Sequence, residues 1–298
     1  MILPFEPALP KKHSQVQGSK FILAESSYGI AKRLQVVEEW LNFVKEKTAK
    51  SCLDALDFGC GTGELLTYPL ACNGDQVLGV DIHEASIAQA RGRYALPNLR
   101  FRTGNLEALW EERLTFDVII CSEVLEHQPT PPEFLRLLRR LLRNEGALII
   151  TTPNGYGSYE MLCRLERGLR RIGVHQSLGW VFRRSCSLIR LVSRQKMDSS
   201  AAQAVPADQA PGFLNAESVH VQFFRLQVLE QLFRKSGFRI VSRRARTFLC
   251  GPYVDVLFNI CPFRQTLFRI NSRLADLLPF SWAADWMFLL EPDRHTQS

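Results

Sequence analysis

Leu53-Asp54-Ala55-Leu56-Asp57-Phe58-Gly59-Cys60-Gly61-Thr62-Gly63 is the stretch that decides the fold. An apolar run through Leu53, Ala55, Leu56 and Phe58 breaks into glycines at alternate positions, and Glu64-Leu65-Leu66 then suits a helix. Strand, glycine turn and helix in that order let backbone approach a nucleotide-like ligand at a helix N-terminus. A side chain at Gly59, Gly61 or Gly63 would block that approach, and the turn can demand a positive φ. The spacing is G-x-G-x-G, which differs from the G-x-G-x-x-G of a pyrophosphate site and disfavours a dehydrogenase. Asp57, two residues ahead of the first glycine, suits an ammonium or ribose hydroxyls better than phosphates.

Outward from this turn the chain alternates between strand and helix patterns. Upstream, Ile30, Leu34, Val37, Trp40, Leu41 and Val44 recur at helical spacing and predict a helix from Tyr28 to Lys47. Downstream, residues 76–82 read as a second strand ending in Asp81 and Ile82, with a helix from Ala85 to Ala95 behind it. Asp81 falls where a doubly wound site places the carboxylate that accepts ribose hydroxyls, though an N-cap also fits it. Residues 99–105 give a third strand. Phe116-Asp117-Val118-Ile119-Ile120-Cys121-Ser122 is the near-continuous apolar run expected mid-sheet. A helix from Pro132 to Asn144, stopped by Gly146, leads into a fifth strand over residues 147–154. Regular alternation then lapses until a helix from Leu226 to Ser236, a strand from Phe238 to Phe248, and a final strand over residues 285–290.

Asp57-Phe58-Gly59-Cys60-Gly61-Thr62-Gly63 resembles the first motif of class I S-adenosylmethionine (SAM) dependent methyltransferases, and the later signatures follow in order through residue 154. The resemblance implies an α/β, Rossmann-like doubly wound sheet of seven strands, the last antiparallel, with two lid insertions. It implies SAM as cofactor, with Asp57, Gly59, Cys60, Gly61 and Gly63 around its methionine and ribose, and Asp81 with Ile82 at the ribose diol. Asn105 and Leu106 would meet the adenine, Asn105 standing where relatives commonly carry Asp; a turn residue after Gly104 is the other reading. Ser122 to His127 would face the methyl group.

Methyl transfer needs an in-line nucleophile about 3 Å from the methyl carbon and exclusion of water. A hydroxyl nucleophile also needs a base or a metal. Glu123, Glu126 and His127 stand at i, i+3 and i+4, a spacing that gathers them on one side of a helical turn. The E-x-x-E-H pattern resembles that of ubiquinone-pathway and small-RNA O-methyltransferases. Carried over, it makes Glu126 and His127 catalytic, and Glu123, Glu126, His127 and a distal His220 ligands for Mg²⁺, Mn²⁺ or Zn²⁺. Packing, capping or a lone general base are the alternatives for the same residues.

The length and 46% hydrophobic content suit one α/β unit with insertions. Four regions are expected: an arm and leading helix (1–50), a SAM-binding core (51–154), a basic lid with a linker (155–220), and the C-terminal completion of the sheet with a second apolar insertion (221–298). No run is long and apolar enough to cross a bilayer, the N-terminus lacks a signal pattern, and no C-x-x-C pair occurs among eight cysteines. The expectation is a cytoplasmic protein with reduced thiols. Of the net charge of +7, much lies between Cys163 and Lys196, where nine basic residues face only Glu166. That run fits a solvated helix face, an anionic membrane surface or RNA phosphates. Interleaved Trp180, Phe182 and Leu188 favour peripheral membrane contact, and nucleic acid is the weakest of the three. The expected partner is a small-molecule or lipid-linked acceptor. A SAM-binding subunit without turnover, docking through the same run, is the rival.

Overall fold

The computed structural model describes residues 29–158, 161, 221–250, 254, 258 and 263–293. His220, the basic run at 163–196 and the linker at 197–218 lie outside them. A seven-stranded sheet runs β3-β2-β1-β4-β5-β7-β6. Its strands are β1 (Asp54–Phe58), β2 (Gln76–Asp81), β3 (Leu99–Thr103), β4 (Phe116–Ser122), β5 (Leu142–Pro153), β6 (Phe238–Ala245) and β7 (Asp285–Pro292). All neighbours pair in parallel except β7, which is antiparallel to both β5 and β6. The chain order reverses between β1 and β4, so their carboxyl ends flank the crevice where open α/β sheets bind ligands.

Apolar residues cover both faces of the central strands. On one face, α1 (Ile30–Thr48), α2 (Thr67–Cys72) and α3 (Glu84–Arg93) pack over Ala55, Val77, Val118, Ile120 and Ile149. On the other, α4 (Leu106–Glu111), α5 (Pro131–Leu141) and α6 (Leu226–Lys235) cover Leu56, Ile119, Cys121, Leu148 and Ile150. Alternate residues of β1, β4 and β5 therefore point to opposite layers, as pleating requires. A further helix, α7 (Arg264–Leu277), and a 3₁₀ turn at Phe280–Trp282 precede β7.

Two boundaries depart from the sequence reading near the site. The helix after the glycine turn starts at Thr67 rather than Glu64, because three residues of turn separate it from Gly63. The helix after Pro131 ends at Leu141, and Leu142 already pairs with Phe116. An irregularity in the β4–β5 register follows, and Gly146 sits against the Asp117 carbonyl, where a Cβ would come within 2.9 Å. Gly146 thus serves a strand irregularity instead of stopping a helix.

Candidate active site

The glycine turn closes on β2. Gly59 and Cys60 donate their N–H groups to the Val80 carbonyl, and Gly61 donates to Asp81 Oδ2 at 2.8 Å. Asp81 Oδ1 accepts from the His83 N–H at 2.9 Å, so one carboxylate ties the turn to the start of α3. Gly59 and Gly63 have φ of 78° and 73°, and a Cβ on them would strike Val124 and Phe101 respectively. Gly61, at φ 55°, differs: its Cβ would meet nothing within 4 Å. Gly59 and Gly63 are close-packing positions, whereas Gly61 borders open space beside Asp81. Ile82, next along, is 67% exposed, an apolar surface beside two acids that a planar ring could cover.

These features fit SAM. Gly61→Ala is accordingly expected to cost about 1 kcal/mol of stability, the strain of a left-handed alanine. It should weaken SAM binding more than about tenfold, which calorimetry on the folded variant would read.

Asp57 lies buried on the α1 side of β1 and accepts from Thr67 Oγ1 at 2.6 Å. Burial raises its carboxyl to about 6, against the opposing pull of the Thr67 hydroxyl and the Arg33 charge. Arg33 comes from α1, is 4% exposed, and donates to Ser122 Oγ at 2.9 Å. Ser122 bonds Thr151 Oγ1 at 2.8 Å, and Thr151 donates to Glu123 Oε1 at 2.6 Å. Arg246 also reaches Glu123 Oε1 at 3.4 Å and holds Asp285 through both sides of its fork, at 3.2 and 3.0 Å. Thr247 adds a bond to Asp285 at 2.9 Å. The result is a polar ladder of alternating charge running from β1 to β7 just beneath the carboxyl edge of the sheet. Glu123, within it, adopts φ 57°, a conformation that costs a non-glycine residue about 1 kcal/mol or more.

The three residues of the E-x-x-E-H pattern do not converge. Glu123 turns to Thr151 and Arg246 on one side of the sheet. Glu126 turns to the other, where it is 1% exposed and accepts from Thr152 Oγ1 at 3.2 Å. Its Oε1 has no hydrogen-bond partner among the described residues, and burial raises its carboxyl well above the usual range. His127, in the 3₁₀ turn Leu125–His127, stays partly exposed with Nε2 3.9 Å from Glu126 Oε1. Among the described residues no group of three His, Cys, Asp or Glu side chains could hold a metal ion. Of the expected ligand set, Glu123 contacts the Arg246 guanidinium at 3.4 Å, Glu126 is buried, and His220 lies outside the described residues.

Other expected residues land as follows. Asn105 caps α4 by accepting from the Ala108 N–H at 3.0 Å, so an adenine amino group would share that oxygen. The Leu106 side chain is in the core, leaving only its backbone toward a ligand. Burial pushes the Cys60 thiol up, with Asp57 and Asp81 adding to it, which keeps the thiol protonated. Arg33, Thr151 and Arg246 were not anticipated. For Arg33 the signal was present, since it shares the buried ridge of α1 with Val36, Val37, Trp40 and Val44.

Beyond β5 lies a cavity of about 330 Å³ lined by Asn154, Tyr156, Arg225, Leu226, Ser281 and Trp286. Arg225 stacks over the Tyr156 ring at 4.7 Å. Asn154 frames the floor by donating to the Ser281 and Ala283 carbonyls. The segment 221–224 straps the wall, with Val221 and Gln222 donating to the Glu126 carbonyl and Gly155 donating to that of Phe224.

Several known proteins are similar to this chain. Relatives named ubiquinone biosynthesis O-methyltransferase include one from Marinobacter nauticus, 34% identical over 119 residues, and one from Coxiella burnetii, 31% identical over 116. Each alignment covers 38% of this chain, and 50% and 49% of the respective relative, so the chain spans about half the length of the relatives it matches. Among solved structures, a SAM-dependent methyltransferase from Archaeoglobus fulgidus aligns with a TM-score of 0.49 at 15% identity, over 91% of this chain and 99% of that one. Magnesium protoporphyrin IX methyltransferase from Synechocystis aligns with a TM-score of 0.47 at 17% identity, over 93% and 89%. A family model described as a methyltransferase domain matches residues 30–243, from the first turn of α1 into β6. With that match over more than two thirds of its length, a seven-stranded sheet of the expected order and a SAM-shaped glycine turn, the chain belongs to the methyltransferase-domain family of class I, SAM-dependent type.

Proposed function

We propose that the protein transfers a methyl group from SAM to an oxygen of a small hydrophobic or lipid-linked acceptor. The observation that carries this reading is the open position at Gly61, bordered by the Asp81 carboxylate and the exposed Ile82. Bound SAM supplies an electrophilic methyl on sulfur. Asp57 and the glycine turn would hold the methionine and ribose portions, Asp81 the ribose diol, and Ile82 one face of the adenine. The ubiquinone-pathway name of the relatives supports oxygen as the accepting atom. Tyr156, Leu226 and Trp286 give the cavity beyond β5 the apolar lining that a hydrophobic acceptor would need.

His127 is the group suited to take the acceptor's proton, being partly exposed while Glu126 stays buried behind it. Glu126 holds the 221–222 strap through its backbone carbonyl, while its buried side chain, raised well above the usual carboxylate range by burial, lies beneath His127. This reading routes no step through a divalent metal. The test is SAM binding by calorimetry followed by methyl transfer to hydroxylated aromatic and prenylated acceptors. His127→Ala should lower kcat about a hundredfold with SAM affinity unchanged. SAM binding without turnover across those acceptors would instead favour a non-catalytic subunit, and NAD binding in place of SAM would overturn the reading.

A further inference from the structure

Helix α7 presents Ile270, Leu274 and Leu277 outward, while Phe268 packs on Phe258 and Ala275 joins the core. Phe263 at its N-cap is 70% exposed, Ile270 48%, Leu274 36% and Leu277 81%, and Trp282 in the following turn is 60% exposed. At 100° per residue, Phe263, Ile270, Leu274 and Leu277 fall within one narrow stripe. Exposed Arg269 and Arg273 lie along one flank of that stripe. The helix contains a single acid, Asp276, and Lys32 of α1 holds it at 2.7 Å.

The outward stripe is fixed in place, because the inner side of α7 is anchored by polar contacts. Asn271, 3% exposed, donates to the Leu249 carbonyl and accepts from the Leu249 N–H, both at 2.7 Å. Lys32 donates to the Ser272 carbonyl at 3.1 Å as well as to Asp276. Rolling the leucines inward would break these bonds and bury Asn271's partners unpaired, each at a desolvation cost. The fold thus holds an apolar ridge against solvent with cations beside it and no free anion on the helix. That is the composition of an interfacial helix, and an anionic lipid surface complements it in both respects.

We propose that the outward face of α7 and the turn at Phe280–Trp282 dock on an anionic lipid bilayer. The ridge would sit among headgroups and upper acyl chains, with Arg269 and Arg273 at the phosphates. No described helix is long and apolar enough to cross the membrane, so the contact is peripheral. Ser281, next to Trp282 in this turn, lines the 330 Å³ cavity together with Trp286, which puts one wall of that cavity at the docking surface. This inference goes beyond the methyl-transfer reading and stands without it.

The test uses the full chain with vesicles of phosphatidylcholine containing phosphatidylglycerol, and with vesicles of phosphatidylcholine alone. Co-sedimentation is expected with the first set, weakening as salt is added. Arg269→Gln with Arg273→Gln should weaken it about thirtyfold, the sum of two surface cations. Ile270→Glu with Leu277→Glu should abolish it. The Trp282 emission, isolated by difference against Trp282→Phe, should shift to the blue on binding. SAM affinity measured in parallel should be unchanged in all variants, which certifies the fold. Wild-type protein that ignores anionic vesicles would overturn the proposal. So would variants that bind as well as wild type, or a concentration-dependent dimer that Leu277→Glu dissociates and that does not bind lipid.

Discussion

Replacing Arg246 by glutamine is expected to destabilise the protein by about 3–5 kcal/mol. Arg246 is 5% exposed and faces Asp285, itself 3% exposed, and Glu123. Its guanidinium is held strongly protonated by those acids despite its burial. Without it Asp285 would lie in a buried site facing the Thr247 hydroxyl and the Cys250 thiol, beside the partly exposed Glu123 carboxylate. Burial already raises the Asp285 carboxyl against the pull of Arg246, so in the variant Asp285 should take up a proton instead of remaining charged. Its folded pKa then lies further above the unfolded value, and stability falls as pH rises between the two. Urea unfolding should therefore find the variant's deficit smallest in acid and largest above neutrality. A deficit below about 1 kcal/mol at neutral pH would mean that water reaches the ladder.

Asp57→Asn is expected to separate stability from binding. With a folded value of about 6 against 3.8, Asp57 is protonated in both states at low pH and contributes nothing there. Between the two values only the folded state keeps its proton, so stability declines as pH rises. Above about 6 a constant penalty remains, about 3 kcal/mol from the shift itself. Asparagine removes that penalty, in which the favourable pull of Arg33 is already counted. The variant should be at least as stable as wild type at neutral pH while binding SAM about 10–100-fold more weakly, the scale of a lost charge-assisted hydrogen bond. Wild-type affinity should fall as pH drops below about 6, and the variant's should not. Thermal unfolding and calorimetry on the same samples would decide it. A variant that binds SAM as wild type does would remove Asp57 from the ligand site.

The part of the site that was legible in the sequence is the part made of near neighbours. Asp57, the three glycines and Asp81 lie within one strand–turn–helix–strand unit, and their spacing alone reports a tight turn beside an acid. The sheet was legible for a similar reason, since residues 118–121 of β4 and 147–150 of β5 are buried on both faces and read as apolar runs. The E-x-x-E-H spacing assumed a helical turn from Glu123 onward. Glu123 is instead left-handed, and the 3₁₀ turn starts only at Leu125, which sends the two glutamates to opposite layers. Arg246 could not be placed from its surroundings, where Arg243 and Arg244 are exposed edge residues of the same kind. Its role depends on Asp285 and Glu123, 39 and 123 positions away, and only the closing of β6 onto β7 brings them together. Arg33 is the intermediate case: its place on an apolar ridge marks it as buried, but Ser122, 89 positions on, could not be foreseen as its partner.

The contact at Gly155 has a consequence for where the molecule tolerates change. Gly155 and Phe224 are hydrogen-bonded at 3.2 Å, and the backbone of Phe223 crosses so close to Gly155 that a Cβ there would strike it. Two stretches of backbone far apart in sequence are thus riveted at one point beside the carboxyl end of β5. Any side chain at position 155 would push Phe223 and Phe224 outward, and with them the Val221 and Gln222 bonds to the Glu126 carbonyl next to His127. A residue that touches no ligand would in this way set the spacing of the groups that do.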